Sequence, residues 1–95
     1  TASLFPGESL PESRGRIAAA VFVESLGQWR VTLTPAVLMA ARHTLFLVTG
    51  EEKAEAVRAV FKEPADPVLR PAQTISHHGR SVTWFLDQAA ASLLD

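Results

Sequence analysis

Residues 43–62, HTLFLVTGEEKAEAVRAVFK, decide the fold of this chain. Their first part, residues 43–49, is apolar through its middle and is followed by Gly50, which predicts a β-strand that ends at a turn. Because this run does not alternate with polar residues, it predicts a strand buried on both faces, as at the centre of a parallel sheet. The second part, residues 51–62, spaces its apolar residues along one face of a helix. A strand, a glycine and a helix in this order indicate one unit of an α/β fold.

The segments around this unit continue the alternation of strands and helices. Residues 29–34 alternate, with Trp29, Val31 and Leu33 on one face and polar residues on the other. The predicted elements follow in this order: a turn-rich segment over 1–16, a buried strand over 17–23, a strand over 29–34, a helix over 36–42, the strand over 43–49, the helix over 51–62, a loop marked by Pro64, Pro67 and Pro71, a turn containing His77 and His78, a strand over 81–86, and a helix over 88–94. Pro35 begins the helix over 36–42, and the Thr34 hydroxyl is its expected cap. Asp87 is the expected cap of the helix over 88–94. This order predicts a Rossmann-like three-layer α/β fold with a mostly parallel sheet.

The length of the chain is at odds with such a sheet. Hydrophobic residues make up 47% of the 95 residues, so the sequence is suited to bury a core. A parallel sheet has to be covered on both faces, and the few short helices predicted here cover it poorly. We therefore predict that residues 1–95 are the C-terminal part of a single, longer α/β domain.

Composition argues against several classes of function. Nine basic residues stand against ten acidic ones with no basic block, so neither nucleic acid nor an anionic membrane is an expected partner. The absence of cysteine leaves no disulfide or thiolate metal site and fits a reducing cytoplasm. The longest apolar run is far shorter than the about 20 residues that cross a bilayer. The histidines lack metal-site spacing, and no glycine-rich nucleotide motif occurs, so no metal or cofactor is expected.

Lys53 is the strongest candidate for ligand binding. In an open α/β sheet, ligands bind beyond the carboxyl ends of strands, where the next helix begins with free N–H groups. A cation in that first turn costs roughly 0.3–1 kcal/mol, which an anionic ligand would offset. The alternative is a solvated lysine neutralised by Glu51 and Glu52. Arg30 is a second candidate, since its guanidinium suits phosphate or carboxylate, although an arginine at a strand edge also pairs with carboxylates of its own chain.

Three motifs resemble the C-terminal part of the glucosamine-6-phosphate isomerase/6-phosphogluconolactonase family, and its lactonase branch in particular. They are TASLFPG at 1–7, RVTLT at 30–34 and LVTGEEKA at 47–54, and WFLDQAA at 84–90 is similar to the closing strand and helix of the family. The resemblance implies a sugar-phosphate-binding α/β domain whose N-terminal half lies outside the sequence. It also implies hydrolysis of 6-phosphogluconolactone to 6-phosphogluconate in the pentose phosphate pathway, in the cytoplasm and without a cofactor.

The resemblance also implies roles for individual residues. Lys53 would bind the substrate phosphate, Arg30 another charged group of the lactone, and Thr1 and Ser3 would contact or support the substrate, unless these two are ordinary loop hydroxyls. The general-base histidine of the family falls just before Thr1, so no catalytic residue is expected within this chain, which alone should be inactive.

Two alternatives to the lactonase remain. Deaminases of the family carry a carboxylate after their histidine, whereas Leu4-Phe5-Pro6 offers none, which favours the lactonase over a deaminase-like isomerase. The other alternative is a non-catalytic module that binds sugar phosphates.

Overall fold

The computed structural model describes residues 1–7 and 15–94. The predicted turn-rich segment over 1–16 is therefore described only in part, because residues 8–14 lie outside the described residues. Strands and helices alternate as the sequence predicts. The elements are strands β1 (Ala18–Val23) and β2 (Gln28–Leu33), helix α1 (Pro35–Ala40), strand β3 (Thr44–Val48), a 3-10 turn (Glu51–Lys53), helices α2 (Ala54–Lys62) and α3 (Pro71–His78), and strand β4 (Val82–Leu86).

Strands β3 and β4 form the parallel pair that the α/β prediction requires. Their register runs from Thr44 opposite Val82 to Val48 opposite Leu86, so the carboxyl ends of both strands lie side by side. On the covered face, the rings of Phe46 and Trp84 stack with their centroids 4.0 Å apart. Helices α2 and α3 contact this face, because Phe61 of α2 presents its ring edge to Trp84 and Ser76 of α3 accepts from the Trp84 indole.

The opposite face of the parallel pair is bare, so the prediction that the 43–49 strand is buried on both faces is wrong for this chain. Leu47 is 78% exposed, and Leu45 and Phe85 are also exposed. The physical reason is that β3 pairs only with β4 among the described residues and that the helices cover a single face. Apolar composition predicted the strand correctly but not what would cover it.

Strands β1 and β2 form an antiparallel hairpin in a separate sheet, closed by a turn in which Gly27 has a φ of 61°. Ala19 and Val23 are buried, whereas Ile17 is 70% exposed, so the expected buried strand over 17–23 is only half-buried. The apolar face of β2 points to solvent and Thr32 on its polar face is buried. A hairpin with one covered face buries whichever residues lie on that face, and here these are Ala19 and Val23 of β1 and Thr32 of β2.

Helix α1 begins at Pro35, as predicted, but Thr34 does not cap it with its side chain. The buried Thr34 hydroxyl donates instead to the carbonyl of Arg16 at 2.8 Å. The residue before the helix therefore ties it to the start of β1.

The predicted helix over 51–62 is present in two parts, the 3-10 turn and α2. Ala54, Val57 and Val60 are buried along one face of α2, as their spacing predicts. Phe61 is half-exposed and presents its ring edge to Trp84, with centroids 5.1 Å apart.

Helix α3 replaces part of the predicted proline loop. Pro71 is its first residue, where a missing N–H leaves no intrahelical bond unmade. His77 and His78 lie in its last turn rather than in a separate turn. Proline is common at the first position of a helix as well as in loops. The prediction that Pro71 belongs to a loop is therefore wrong.

The predicted helix over 88–94 is a series of turns. Asp87 does cap this segment, because its Oδ1 accepts from the Ala90 amide at 2.8 Å. The following bonds, from Ser92 to Ala89 and from Leu94 to Ala91, span three residues each and do not extend into an α-helix.

Candidate functional site

An open cleft of about 710 Å³ lies at the carboxyl end of β3. Its walls come from five parts of the chain: the N-terminal turn, the second half of β3, one side of α2, the segment that leads into α3, and Trp84 of β4. Most of its lining is apolar. The residues lining it are Thr1, Ala2, Leu4, Phe5, Pro6, Phe46, Leu47, Val48, Thr49, Lys53, Ala56, Val57, Ala59, Val60, Leu69, Arg70, Pro71, Ala72 and Trp84.

Lys53 lies at one end of this cleft, where the 3-10 turn leads into α2. Its side chain is exposed, and its amide donates to the carbonyl of Gly50 at 3.2 Å. In the part of the chain that the structure describes, no salt bridge joins Lys53 to Glu51 or Glu52. Lys53 therefore lines the cleft without an ion-pair partner among these residues, and its role in ligand binding stays a prediction.

Thr1 shares the cleft with Lys53. The Thr1 carbonyl accepts from the Leu4 amide at 2.8 Å, which closes a turn in which Ala2 adopts a φ of 50°. The structure thus brings together two of the four predicted site residues.

Ser3 and Arg30 do not line the cleft. The Ser3 amide donates to Thr32 Oγ1 at 3.0 Å, so Ser3 connects the first turn to the hairpin. Arg30 lies on β2 opposite Val21, on the same face of the strand as Thr32, and it is exposed. No ion pair holds Arg30 among the described residues, so the alternative of an arginine paired with a carboxylate of the chain finds no support there.

Two features of the cleft were missed by the sequence analysis. Arg70 lines the end of the cleft at α3, and its Nη1 donates to the carbonyl of Pro64 at 2.7 Å. Phe46 and Trp84 form an aromatic wall, and the indole of Trp84 donates to Ser76 Oγ at 3.0 Å. The sequence signal for Arg70 is its place directly before Pro71, since a proline at a helix start brings the preceding residue to the helix terminus.

Asp87 has one contact that the sequence predicts and one that it does not. Besides capping the last segment, its two carboxylate oxygens lie 3.2 Å from the amide of Gly50. The carboxyl end of β4 is thereby fastened to the turn that leads to Lys53.

Residues 1–7 and 15–94 contain neither a metal-binding cluster nor a membrane-spanning helix. These residues hold no group of three or more histidine, aspartate or glutamate side chains placed to bind a metal ion. No helix among them is long and apolar enough to cross a membrane.

Comparison with known proteins identifies the family to which this chain is similar. The model of the family described as glucosamine-6-phosphate isomerases/6-phosphogluconolactonase matches residues 1–84. The human 6-phosphogluconolactonase is 40% identical over 95 residues, which cover 99% of this chain and 36% of the relative. A glucosamine-6-phosphate deaminase of Rhodopirellula baltica is 42% identical over 72 residues, or 76% of this chain and 28% of the relative.

A solved structure also matches. The 6-phosphogluconolactonase from Trypanosoma cruzi superposes with a TM-score of 0.73 at 30% identity, covering 98% of this chain and 36% of that one. The chain thus spans little more than a third of its lactonase relatives and corresponds to their C-terminal part. The family model that matches residues 1–84, together with a relative 40% identical over 99% of the chain, shows that the chain belongs to the glucosamine-6-phosphate isomerase/6-phosphogluconolactonase family.

Proposed function

We propose that the whole protein hydrolyses 6-phosphogluconolactone to 6-phosphogluconate, as a cofactor-independent lactonase of the pentose phosphate pathway in the cytoplasm. One observation carries this proposal: Lys53 and Thr1 both line a cleft at the carboxyl end of a parallel strand. The lactonase names of the relatives support the choice of substrate.

The chain supplies the phosphate-binding part of this site in our proposal. Lys53 attracts the phosphate of the lactone, and the apolar wall with Phe46 and Trp84 lies against the carbon skeleton. Thr1 contacts the substrate, and Ser3 holds the first turn in place through its bond to Thr32. Arg30 serves another charged group, a role that its exposed position on β2 leaves available.

The hydrolytic step itself requires a group outside the chain. Water attacks the lactone carbonyl while a general base takes its proton, and the ring ester bond breaks to release the carboxylate of the product. In the family pattern the base is a histidine directly before Thr1, at the edge of the cleft. The N-terminal half of the domain would contribute this residue, and we expect the 95 residues alone to be inactive.

A deaminase is the second candidate, and the relative from Rhodopirellula baltica favours it. The chain argues against it because the segment after Thr1 presents Leu4, Phe5 and Pro6 to this region rather than a carboxylate. A non-catalytic module would use the same cleft for binding without turnover.

The test is a kinetic assay of the full-length protein that carries these residues, with 6-phosphogluconolactone as substrate. Lys53→Ala should raise KM about tenfold or more, because a charge-assisted phosphate contact is lost, with little change in kcat. Lys62→Ala is the matched control, since it removes the same charge from the exposed far end of α2, and its KM should stay at the wild-type value.

The outcomes separate the candidates. An unchanged KM in Lys53→Ala would remove the phosphate role of Lys53. Release of ammonia from glucosamine 6-phosphate without lactone hydrolysis would favour the deaminase, and binding of 6-phosphogluconate with neither activity would favour the module.

A further inference from the structure

We propose that Asp87 is a positioning residue for phosphate binding: its carboxylate fixes the turn at Gly50 and so sets the place of Lys53. This inference rests on the proposed function, because it concerns the same phosphate site. The sequence predicts only that Asp87 caps the segment that follows β4, and the proposal adds a role in holding the turn at Gly50.

The contacts of Asp87 join three parts of the chain at one point. Its amide lies 3.4 Å from the carbonyl of Val48, next to the parallel register that pairs Val48 with Leu86. Both of its carboxylate oxygens lie 3.2 Å from the amide of Gly50, and Oδ1 also accepts from Ala90 at 2.8 Å. One side chain therefore fastens the ends of β3 and β4 and the final turns to each other.

Gly50 needs such a restraint. Its φ of 98° and ψ of 148° lie in a region that is essentially reserved for glycine. A glycine also has many other conformations open to it, so the backbone alone does not select this one. The bond to Asp87 limits this freedom, because it holds the peptide plane between Thr49 and Gly50 in place where the chain enters the turn.

The turn passes its orientation on to Lys53. The carbonyl of Gly50 accepts from the Lys53 amide at 3.2 Å, and this bond closes the 3-10 turn between the two residues. If Gly50 rotates, its carbonyl turns away and the first turn before α2 loses its anchor. Lys53 would then sample positions outside the cleft, and phosphate binding would weaken because the ammonium group is no longer held in one place.

Electrostatics and positioning predict opposite results for the loss of Asp87. A carboxylate near the phosphate site repels an anion, so its removal on charge grounds alone would strengthen phosphate binding. If Asp87 acts by holding Gly50, its removal weakens phosphate binding although a negative charge has been lost. The sign of the change in KM therefore distinguishes the two.

The experiment uses the full-length protein and measures kcat and KM for 6-phosphogluconolactone in Asp87→Ala and Asp87→Asn, each alone and together with Lys53→Ala. We expect Asp87→Ala to raise KM about tenfold at nearly constant kcat, the signature of lost binding that the ground and transition states share. Asp87→Asn keeps one acceptor oxygen and the size of the side chain, so it should fold and raise KM by a smaller factor. In the Lys53→Ala background, neither change should raise KM further.

Asp66→Ala is the matched control. Asp66 is also a loop aspartate whose Oδ1 accepts two backbone amides, those of Val68 and Leu69, but it lies in the connection between α2 and α3. If loss of a loop anchor merely lowers the fraction of folded enzyme, Asp66→Ala and the Asp87 variants will all reduce kcat and leave KM unchanged.

Each other outcome counts against the inference. A KM that falls or stays constant in both Asp87 variants overturns it, and so does a rise in KM that adds fully to that of Lys53→Ala. If Lys53→Ala alone leaves KM unchanged, the proposed phosphate site is wrong, and the positioning role of Asp87 is overturned together with it.

Discussion

Among single residues, Gly50 is a position with little freedom to change. A Cβ built at Gly50 would lie 2.8 Å from the carboxylate oxygens of Glu52, and its φ of 98° disfavours any other residue. We expect Gly50→Ala to destabilise the protein by about 1–3 kcal/mol, mostly through backbone strain, because the Glu52 side chain can swing away. Urea unfolding measures this difference.

Gly27 is the control for that prediction. It also has a positive φ, of 61°, but a Cβ there would meet no atom within 4 Å. Gly27→Ala should therefore cost only about 1 kcal/mol, the usual cost of a left-handed conformation. Equal losses in the two variants would show that the turn before Lys53 is under no special constraint.

At the scale of elements, one buried side chain holds α2 and α3 together. Gln73 is 1% exposed, and its Nε2 donates to the carbonyls of Val60 and Glu63 at 3.3 and 2.8 Å. Its Oε1 accepts from the amide of Asp66 at 3.1 Å. Three backbone groups at the end of α2 thus depend on one amide.

Replacing this amide should be costly. Gln73→Leu fills nearly the same space but leaves those backbone groups without their partner, and each such buried group costs about 1–3 kcal/mol. We expect a loss of roughly 2 kcal/mol or more in the free energy of unfolding, since some of these groups can reach water. Gln88→Leu, at an exposed position, is the comparison, and a Gln73→Leu protein as stable as Gln88→Leu would contradict the bridging role.

The sequence predicted elements better than it predicted their surroundings. The strand over 43–49, the helix after it and the strand over 81–86 are present because each has a strong local pattern. Helix α3 was missed because a proline was interpreted only as a loop residue. The contact from Asp87 to Gly50 was missed for a different reason, since it joins residues far apart in the chain and depends on the parallel register of β3 and β4.

The same limit applies to the candidate site. Lys53 was found from its place after a strand and a glycine, and the structure puts it in the cleft. Arg30 and Ser3 lie outside the lining of the cleft. Arg30 belongs to the β1–β2 hairpin and Ser3 is bonded to Thr32 of the same hairpin, and no local sequence pattern encodes these long-range contacts.

At the scale of the whole molecule, each of the two sheets has a bare apolar face. Leu45, Leu47 and Phe85 are exposed on the parallel pair, and Trp29 and Val31 on the hairpin. Since the lactonase relatives are almost three times as long as this chain, we propose that the remainder of the domain covers these faces. The cleft beside Lys53 would then be one part of a deeper site whose other wall carries the general base.

In our proposal, the cleft beside Lys53 binds the phosphate of the sugar substrate. An NMR titration of the isotopically labelled protein with 6-phosphogluconate, and separately with gluconate, tests it most directly. We predict that 6-phosphogluconate shifts the amide signals of Gly50 and Lys53 and the indole signal of Trp84, while gluconate, which lacks the phosphate, shifts them far less. Shifts confined to the hairpin around Arg30, or equal shifts with both ligands, would contradict the claim.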